Sequence, residues 1–236
     1  MKLNRAYGDL LKPLQIKAAM DDTPDYPLET PVVYNTALDE LTKESDIRLI
    51  VIGDNPGKDE QREINKKYLV GQSGKIAAGF FEKNTEFQTD FRKNVIILNK
   101  TPVHTAKTTH LKYLLRSGGK EVRELVLESQ VFMAEKIAML HQALCSNAGD
   151  DGIKPELWLV GYAELKDKGL FLGFKKELGE DYDRGSEYWN KVFVFQHFSM
   201  NRFSIDLKDF MAKHRGLGIV EAAHELGSLH KKEIFG

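Results

Sequence analysis

Four times along this chain a run of apolar, mostly β-branched or aromatic residues ends abruptly, with helical stretches between one run and the next. Leu49-Ile50-Val51-Ile52 stops at Gly53-Asp54-Asn55-Pro56-Gly57, and Val95-Ile96-Ile97-Leu98 stops at Asn99-Lys100-Thr101-Pro102. Leu157-Trp158-Leu159-Val160 stops at Gly161, and Val192-Phe193-Val194-Phe195 stops at Gln196-His197. Continuous rather than alternating hydrophobicity marks strands buried on both faces. Strands joined through helices make a parallel sheet covered on both sides, so the pattern predicts an α/β fold of three layers, α/β/α, around a mainly parallel sheet of about four strands. Right-handed crossovers carry every strand's carboxyl end to one edge, which is where open α/β sheets bind ligands. Asp54 or Asn55, Asn99 and His197 are therefore expected to converge there.

The rest of the chain fits one domain over residues 1–236, with residues 1–45 as an N-terminal arm packed on it. A helix is expected up to Met20, with an apolar stripe through Leu10, Leu11, Leu14 and Ile16 and an interruption at Pro13. Residues 21–35 carry Pro24, Pro27 and Pro31 and read as extended, and residues 36–45 as a short polar helix. Ser73 is placed to cap a helix bearing Ile76, Ala77, Phe80 and Phe81. Val122, Leu125, Phe132, Met133, Ile137, Leu140 and Leu144 recur at helical spacing before a stop at Ser146-Asn147-Ala148-Gly149. Two further helices close the chain, around residues 207–213 and 219–230.

Composition mainly excludes. With 42% hydrophobic and 29% charged residues the chain is neither disordered nor fibrous. No apolar run is long enough to span a bilayer. The opening Met1-Lys2-Leu3-Asn4-Arg5 leads into polar residues rather than a signal-peptide core, so no signal peptide is expected, and with one cysteine the expected location is the cytoplasm. One cysteine, Cys145, allows neither an internal disulfide nor a cysteine-built iron–sulfur cluster, and it reads as an inert core residue. A net charge of −1 gives no global sign of nucleic-acid binding, so any such surface must be local. Gly71-Gln72-Ser73-Gly74-Lys75 is too short between its glycines for a nucleotide-triphosphate loop, although its amides could hold one phosphate. His224-Glu225 with His230 misses the spacing of a zinc helix, and no Gly-x-Ser-x-Gly elbow is present. No metal and no cofactor is expected.

Taken together, four short motifs resemble the uracil-DNA glycosylase superfamily, over residues 47–202. Gly53-Asp54-Asn55-Pro56-Gly57 is similar to the Gly-x-Asn-Pro-Gly of its mismatch-specific and single-strand-selective branches. Asn99-Lys100-Thr101-Pro102 resembles the asparagine ending the second strand, and His197-Phe198-Ser199 the His-Pro-Ser of the last motif. Tyr68-Leu69-Val70-Gly71-Gln72-Ser73-Gly74 is similar to the Phe-Val-Gly-x-Ala-Gly of the thermophile-type branch, without that branch's cluster cysteines. The resemblance implies a monomeric, metal-free enzyme that hydrolyses the N-glycosidic bond of uracil or a related deaminated base flipped out of DNA. Asn55 or Asp54 would hold the attacking water, and His197 would donate a hydrogen bond to the departing base. Asn99 would read the base edge with its amide. Tyr68 would stack on the base, with Gly53, Gly57 and Ser199 completing the substrate contacts. Met200 would fill the vacated stack, and Ser73, Lys75, Asn201 and Arg202, helped by Lys100 and Lys107, would meet phosphates. Phe198 in place of the proline implies a less rigid loop, and Gly57 in place of a tyrosine implies weaker restriction to uracil. Two other readings carry their own tests: a catalytically silent binder of the same fold, and an unrelated α/β protein holding a phosphorylated ligand at Gly71–Lys75.

Overall fold

A computed structural model describes residues 5–23, 25–149 and 152–236. Residues 1–4, part of the stretch read for a signal peptide, and Pro24 lie outside the described residues. Strands β1 (Leu49–Gly53), β2 (Val95–Asn99), β3 (Glu156–Val160) and β4 (Val192–Phe195) form one sheet in the order β2-β1-β3-β4, every pair parallel. Each strand coincides with one of the apolar runs, shifted by a residue at most. Eight α-helices accompany them among the described residues: α1 (Arg5–Ala19), α2 (Gln72–Lys83), α3 (Leu111–Ser117), α4 (Gly119–Asn147), α5 (Leu172–Glu180), α6 (Glu187–Asn190), α7 (Arg202–Lys213) and α8 (Ile219–Phe235).

Alternation along the strands divides the core in two. Ile50, Ile52, Ile96, Leu98, Leu157, Leu159, Val192 and Val194 face a cluster built with α1, α3, α4 and α5. Leu49, Val51, Ile97, Trp158, Val160, Phe193 and Phe195 face the other cluster, built with α2, α7 and α8. The result is the three-layer α/β/α arrangement that the unbroken apolar runs predict, because a strand covered on both faces has no polar side to show. The sheet order reverses direction between β1 and β3, which creates a crevice at their carboxyl ends. Register places Gly53 beside Asn99, Ile52 beside Leu159, and Val160 beside Phe195, so all four strands end at one level.

Two local expectations are corrected. Helix α1 runs straight through Pro13, and its buried stripe is Leu11, Gln15 and Ala19 rather than one including Ile16, which is exposed. Gln15 holds the helix down: its amide nitrogen donates to the carbonyls of Pro31 (2.9 Å) and His104 (2.7 Å). Pro13 sits on the solvent side, so its ring and the lost backbone hydrogen bond fall on the exposed face. Ser73 does not cap α2, because the helix starts two residues earlier, at Gln72, with Gly71 as its N-cap.

That early start depends on Gly74. A Cβ there would run into the carbonyl of Leu69, a residue whose own backbone is left-handed (φ 50°). The Leu69 carbonyl also accepts from the Arg92 guanidinium at 2.8 Å, so it cannot swing aside freely. Gly74→Ala should therefore lower unfolding free energy by about 2–3 kcal/mol in urea titration, although alanine favours helix elsewhere. A variant as stable as the parent would contradict this close approach.

Candidate active site

The carboxyl edge of the sheet opens into a cleft of ≈ 670 Å³ lined by Asp54, Asn55, Gly57, Asn99 and His197 among others. The three strand ends thus meet on one cleft. Ser73, Ser199, Met200 and Arg202 also line it.

The loop after β1 is fastened from several sides. The Lys100 backbone N–H donates to the carbonyls of Gly53 (3.0 Å) and Asp54 (3.1 Å), and Thr105 N–H donates to that of Pro56 (3.2 Å). His104 Nδ1 also meets the Pro56 carbonyl, at 2.8 Å. Glu60 closes the far end: its two carboxylate oxygens accept from the N–H groups of Gly57 (2.9 Å) and Leu69 (2.8 Å). Burial pushes the Glu60 carboxyl up to about 7, against the opposing pull of those two N–H groups.

Beneath the loop lies the strongest electrostatic feature. Lys100, with no exposed surface, places its ammonium 2.7 Å from Asp54 Oδ1, 2.5 Å from the Val160 carbonyl and 3.4 Å from that of Gly53. The Phe171 ring lies 5.1 Å away. Gly161 (φ 95°) makes room for the carboxylate, because a Cβ there would strike Asp54. The expectation that Lys100 meets phosphates is therefore corrected: it alternates with Asn99 along the chain and points into the protein.

Each polar side chain on the cleft has a defined hydrogen-bonding sense. The Asn55 amide nitrogen donates to Thr105 Oγ1 (2.8 Å) and lies near the carbonyls of Pro56 (3.3 Å) and Val103 (3.4 Å). Its Oδ1 has no partner among the described residues and is shut off from solvent. The Asn99 amide packs over Gly53, where a side chain would collide with it, and its Nδ2 is likewise buried and unpartnered. Each such atom costs on the order of 1–3 kcal/mol until something bonds it. Orphaned atoms also occur far from the cleft, Gln130 Oε1 for one, so it is the location of these two that gives them weight. His197 Nδ1 accepts from the backbone N–H of Ser199 at 3.0 Å and contacts its hydroxyl at 2.9 Å. A backbone N–H can only donate, so the ring proton sits on Nε2. Burial holds the His197 pKa below its ordinary value; nearby Lys100 adds to this and Asp54 opposes it.

Other expected contacts lie elsewhere. Tyr68 is buried in the core and donates its hydroxyl to the Val33 carbonyl at 2.6 Å, so it does not face the cleft. The left-handed turn at Leu69 sends the tyrosine inward and brings Leu69 itself to the cleft wall. Lys75 and Asn201 line a neighbouring groove between α2 and α7 instead. Gly53 supports Asn99 from beneath. Lys107 lines the cleft but is paired with Asp22 at 2.7 Å. Phe198 does not loosen its loop: it is fully buried against Phe203 and Phe91 and anchors the segment through packing. The next residues, Met200 (φ 53°) and Asn201 (φ 56°), adopt left-handed backbone, and Met200 stands 69% exposed at the cleft. Sequence reasoning misses Glu60, His104 and Thr105, since they act on the backbone of a loop at a distance along the chain.

Among the described residues no group of three or more His, Cys, Asp or Glu side chains is arranged to hold a metal ion, and no helix is long and apolar enough to cross a membrane. A scan against protein-family models finds no match to this chain, and a search of curated proteins finds no significant match either.

Buried titratable groups predict an acid response. Burial holds both His104 and His141 at about 4, below their ordinary 6.5. The unfolded chain then takes up more protons than the folded one between those values, and stability falls as pH drops from about 6.5 to about 4. Glu60 acts in the opposite sense: folded, it keeps a proton below about 7 that the unfolded chain releases down to 4.5, which adds stability on acidification. Glu60→Gln should therefore steepen the loss of denaturation midpoint between pH 6.5 and 4.5, whatever it does to stability at pH 7. An unchanged or shallower slope would contradict the assignment. The buried pair gives a second expectation. Lys100→Met leaves the Asp54 carboxylate without its cation and should cost about 3–5 kcal/mol, much of it recovered in Asp54→Asn/Lys100→Met, as a double-mutant cycle would measure.

Proposed function

We propose that this protein is a hydrolytic DNA glycosylase that removes uracil or a related deaminated base, in the manner of the superfamily its motifs resemble. The observation that carries the reading is the meeting, on one cleft, of three side chains with complementary hydrogen-bonding sense. Asn55 offers an unused acceptor, Asn99 an unused donor, and His197 a neutral ring with its proton on Nε2.

On this reading the water is held by Asn55 rather than Asp54. The Asn55 amide nitrogen donates to Thr105 Oγ1 with the Pro56 and Val103 carbonyls beside it, which leaves Oδ1 as the free acceptor. Because that oxygen is shut off from solvent, the side chain must shift as substrate enters before Oδ1 accepts a hydrogen bond from water and turns a water lone pair toward the sugar C1′. An amide oxygen orients water without deprotonating it, which suffices when the transition state is oxocarbenium-like and the leaving base carries the charge. Asp54 spends one oxygen on Lys100. As the C1′–N bond breaks, its electron pair moves onto the base, where His197 Nε2–H donates to the oxygen that gains charge. Water adds to C1′ and loses its proton to solvent, giving an abasic site and a free base. Asn99 Nδ2 donates to a carbonyl on the base edge, which favours a deaminated base over one with an amino group at that position. Met200, exposed at the cleft mouth, is the apolar side chain available to fill the vacated stack.

The test is incubation with oligonucleotides carrying a single uracil, single-stranded and duplex, followed by alkaline cleavage at abasic sites. Asn55→Ala and His197→Ala should each lower kcat by about 10²–10³. Binding without abasic product at uracil, hypoxanthine or xanthine would make the protein a catalytically silent relative and sink the enzymatic reading.

A further inference from the structure

Beside the cleft, helices α2 and α7 enclose a second, larger groove of ≈ 900 Å³ that none of the chemistry above uses. Its floor is apolar, formed by Ile76, Phe80, Leu207 and Met211. Its rim carries three exposed lysines, Lys75, Lys83 and Lys208, and neither aspartate nor glutamate lines it. In a chain of net charge −1, three cations beside an acid-free groove form a local exception. None of the three takes part in an ion pair among the described residues, whereas Lys66, Lys67, Lys93, Lys100 and Lys107 do.

Groove and cleft adjoin. Gln72, at the start of α2, lines both, and Asn201 in the groove sits between Met200 and Arg202 on the cleft. We propose that this groove is the track for an unpaired nucleic-acid strand leaving the cleft, with Lys75, Lys83 and Lys208 on its phosphates and the apolar floor under its bases. The nature of the occupant rests on the glycosylase reading. The physical case rests on the groove. A strand alternates anionic phosphates with flat, weakly polar base faces, and a positively charged rim over an apolar floor matches both parts. Lys75 and Lys83 stand eight residues apart on one helix, about 12 Å, so their charges are spread along the groove rather than gathered at one point. A rigid duplex presents only its phosphates to such a groove and cannot bring its stacked bases to Ile76 and Met211.

The experiment uses a fluorescently labelled, uracil-free oligonucleotide, single-stranded and as duplex, with binding followed by anisotropy across salt concentrations. Wild-type protein should prefer the single strand. The Lys75→Ala/Lys83→Ala/Lys208→Ala variant should bind it about tenfold or more weakly at low salt, with a log K against log salt slope shallower by about 2. A control removing three distant exposed lysines, Lys112→Ala/Lys120→Ala/Lys168→Ala, should leave that slope unchanged. Equal weakening in the control, equal preference for duplex, or no effect of the groove lysines would overturn the track. Because the probe contains no target base, the result separates from catalysis. Absent abasic product with intact lysine-dependent binding defeats the glycosylase reading alone, and product formation with unaltered KM in the groove variant defeats the track alone.

Discussion

An ammonium group without any exposed surface sits under the carboxyl edge of the sheet, and the geometry of the cleft depends on it. Taking a lysine out of water costs several kcal/mol, and the cost is offset only when the charge is paired and its protons are all bonded. Lys100 meets that requirement with oxygens from two different strands and a carboxylate: Gly53 of β1, Val160 of β3, and Asp54. Those strands are the ones between which the sheet order reverses. The crevice that such a reversal leaves is therefore closed from below by a salt bridge, and the space for a ligand lies above it. Three positions are tied to this arrangement. Gly53 must lack a side chain because Asn99 packs over it, Gly161 must lack one because Asp54 does, and Asp54 must remain a carboxylate to face the lysine.

Much of this edge is legible in the sequence, for a definite reason. Unbroken apolar runs separated by helices admit few arrangements, and the handedness of crossovers then leaves one edge for all the strand ends. That is enough to bring Asn55, Asn99 and His197 to one cleft without knowing any contact. Residues just beyond a strand end are harder to read. Asn99 and Lys100 are neighbours, and a lysine beside a cleft asparagine looks like a phosphate contact because most lysines are solvated. Only the packing of β3 and the Asp54 carboxylate beneath shows that alternation sends it inward. Tyr68 fails for a different reason. The left-handed turn falls on Leu69, with no glycine to announce it, and reverses which of two adjacent side chains meets the cleft. Phe198 shows that a loop lacking proline can still be rigid, because burial against Phe203 and Phe91 restrains it as a ring constraint would.

Hydrogen-bonding sense is the property least visible in sequence, and the one on which the chemistry turns. An asparagine is donor and acceptor at once, so its role depends on which half the protein occupies. Thr105, fifty positions along the chain, occupies the nitrogen of Asn55 and leaves its oxygen. Ser199 occupies Nδ1 of His197 through its backbone and so decides where the ring proton resides. In each case the partner is unremarkable alone and becomes informative only through the loop that brings it near.

The distribution of charge ties these features together. Beneath the cleft the buried Lys100 ammonium is matched by Asp54, and burial, against the pull of Asp54, holds the His197 pKa below its ordinary value. Outside it, three lysines with no ion pair among the described residues flank an apolar groove. On the proposed reading this division has a physical purpose. A departing pyrimidine becomes anionic only as its bond to the sugar breaks, so a neutral donor that strengthens with that charge favours the transition state over the bound substrate. A fixed cation at the same point would already hold phosphates and carboxylates in the ground state, and would attract them to the wrong place. Moving the unpaired positive charge to the groove leaves phosphate attraction where it positions the strand, and leaves recognition in the cleft to hydrogen bonds that distinguish one base edge from another.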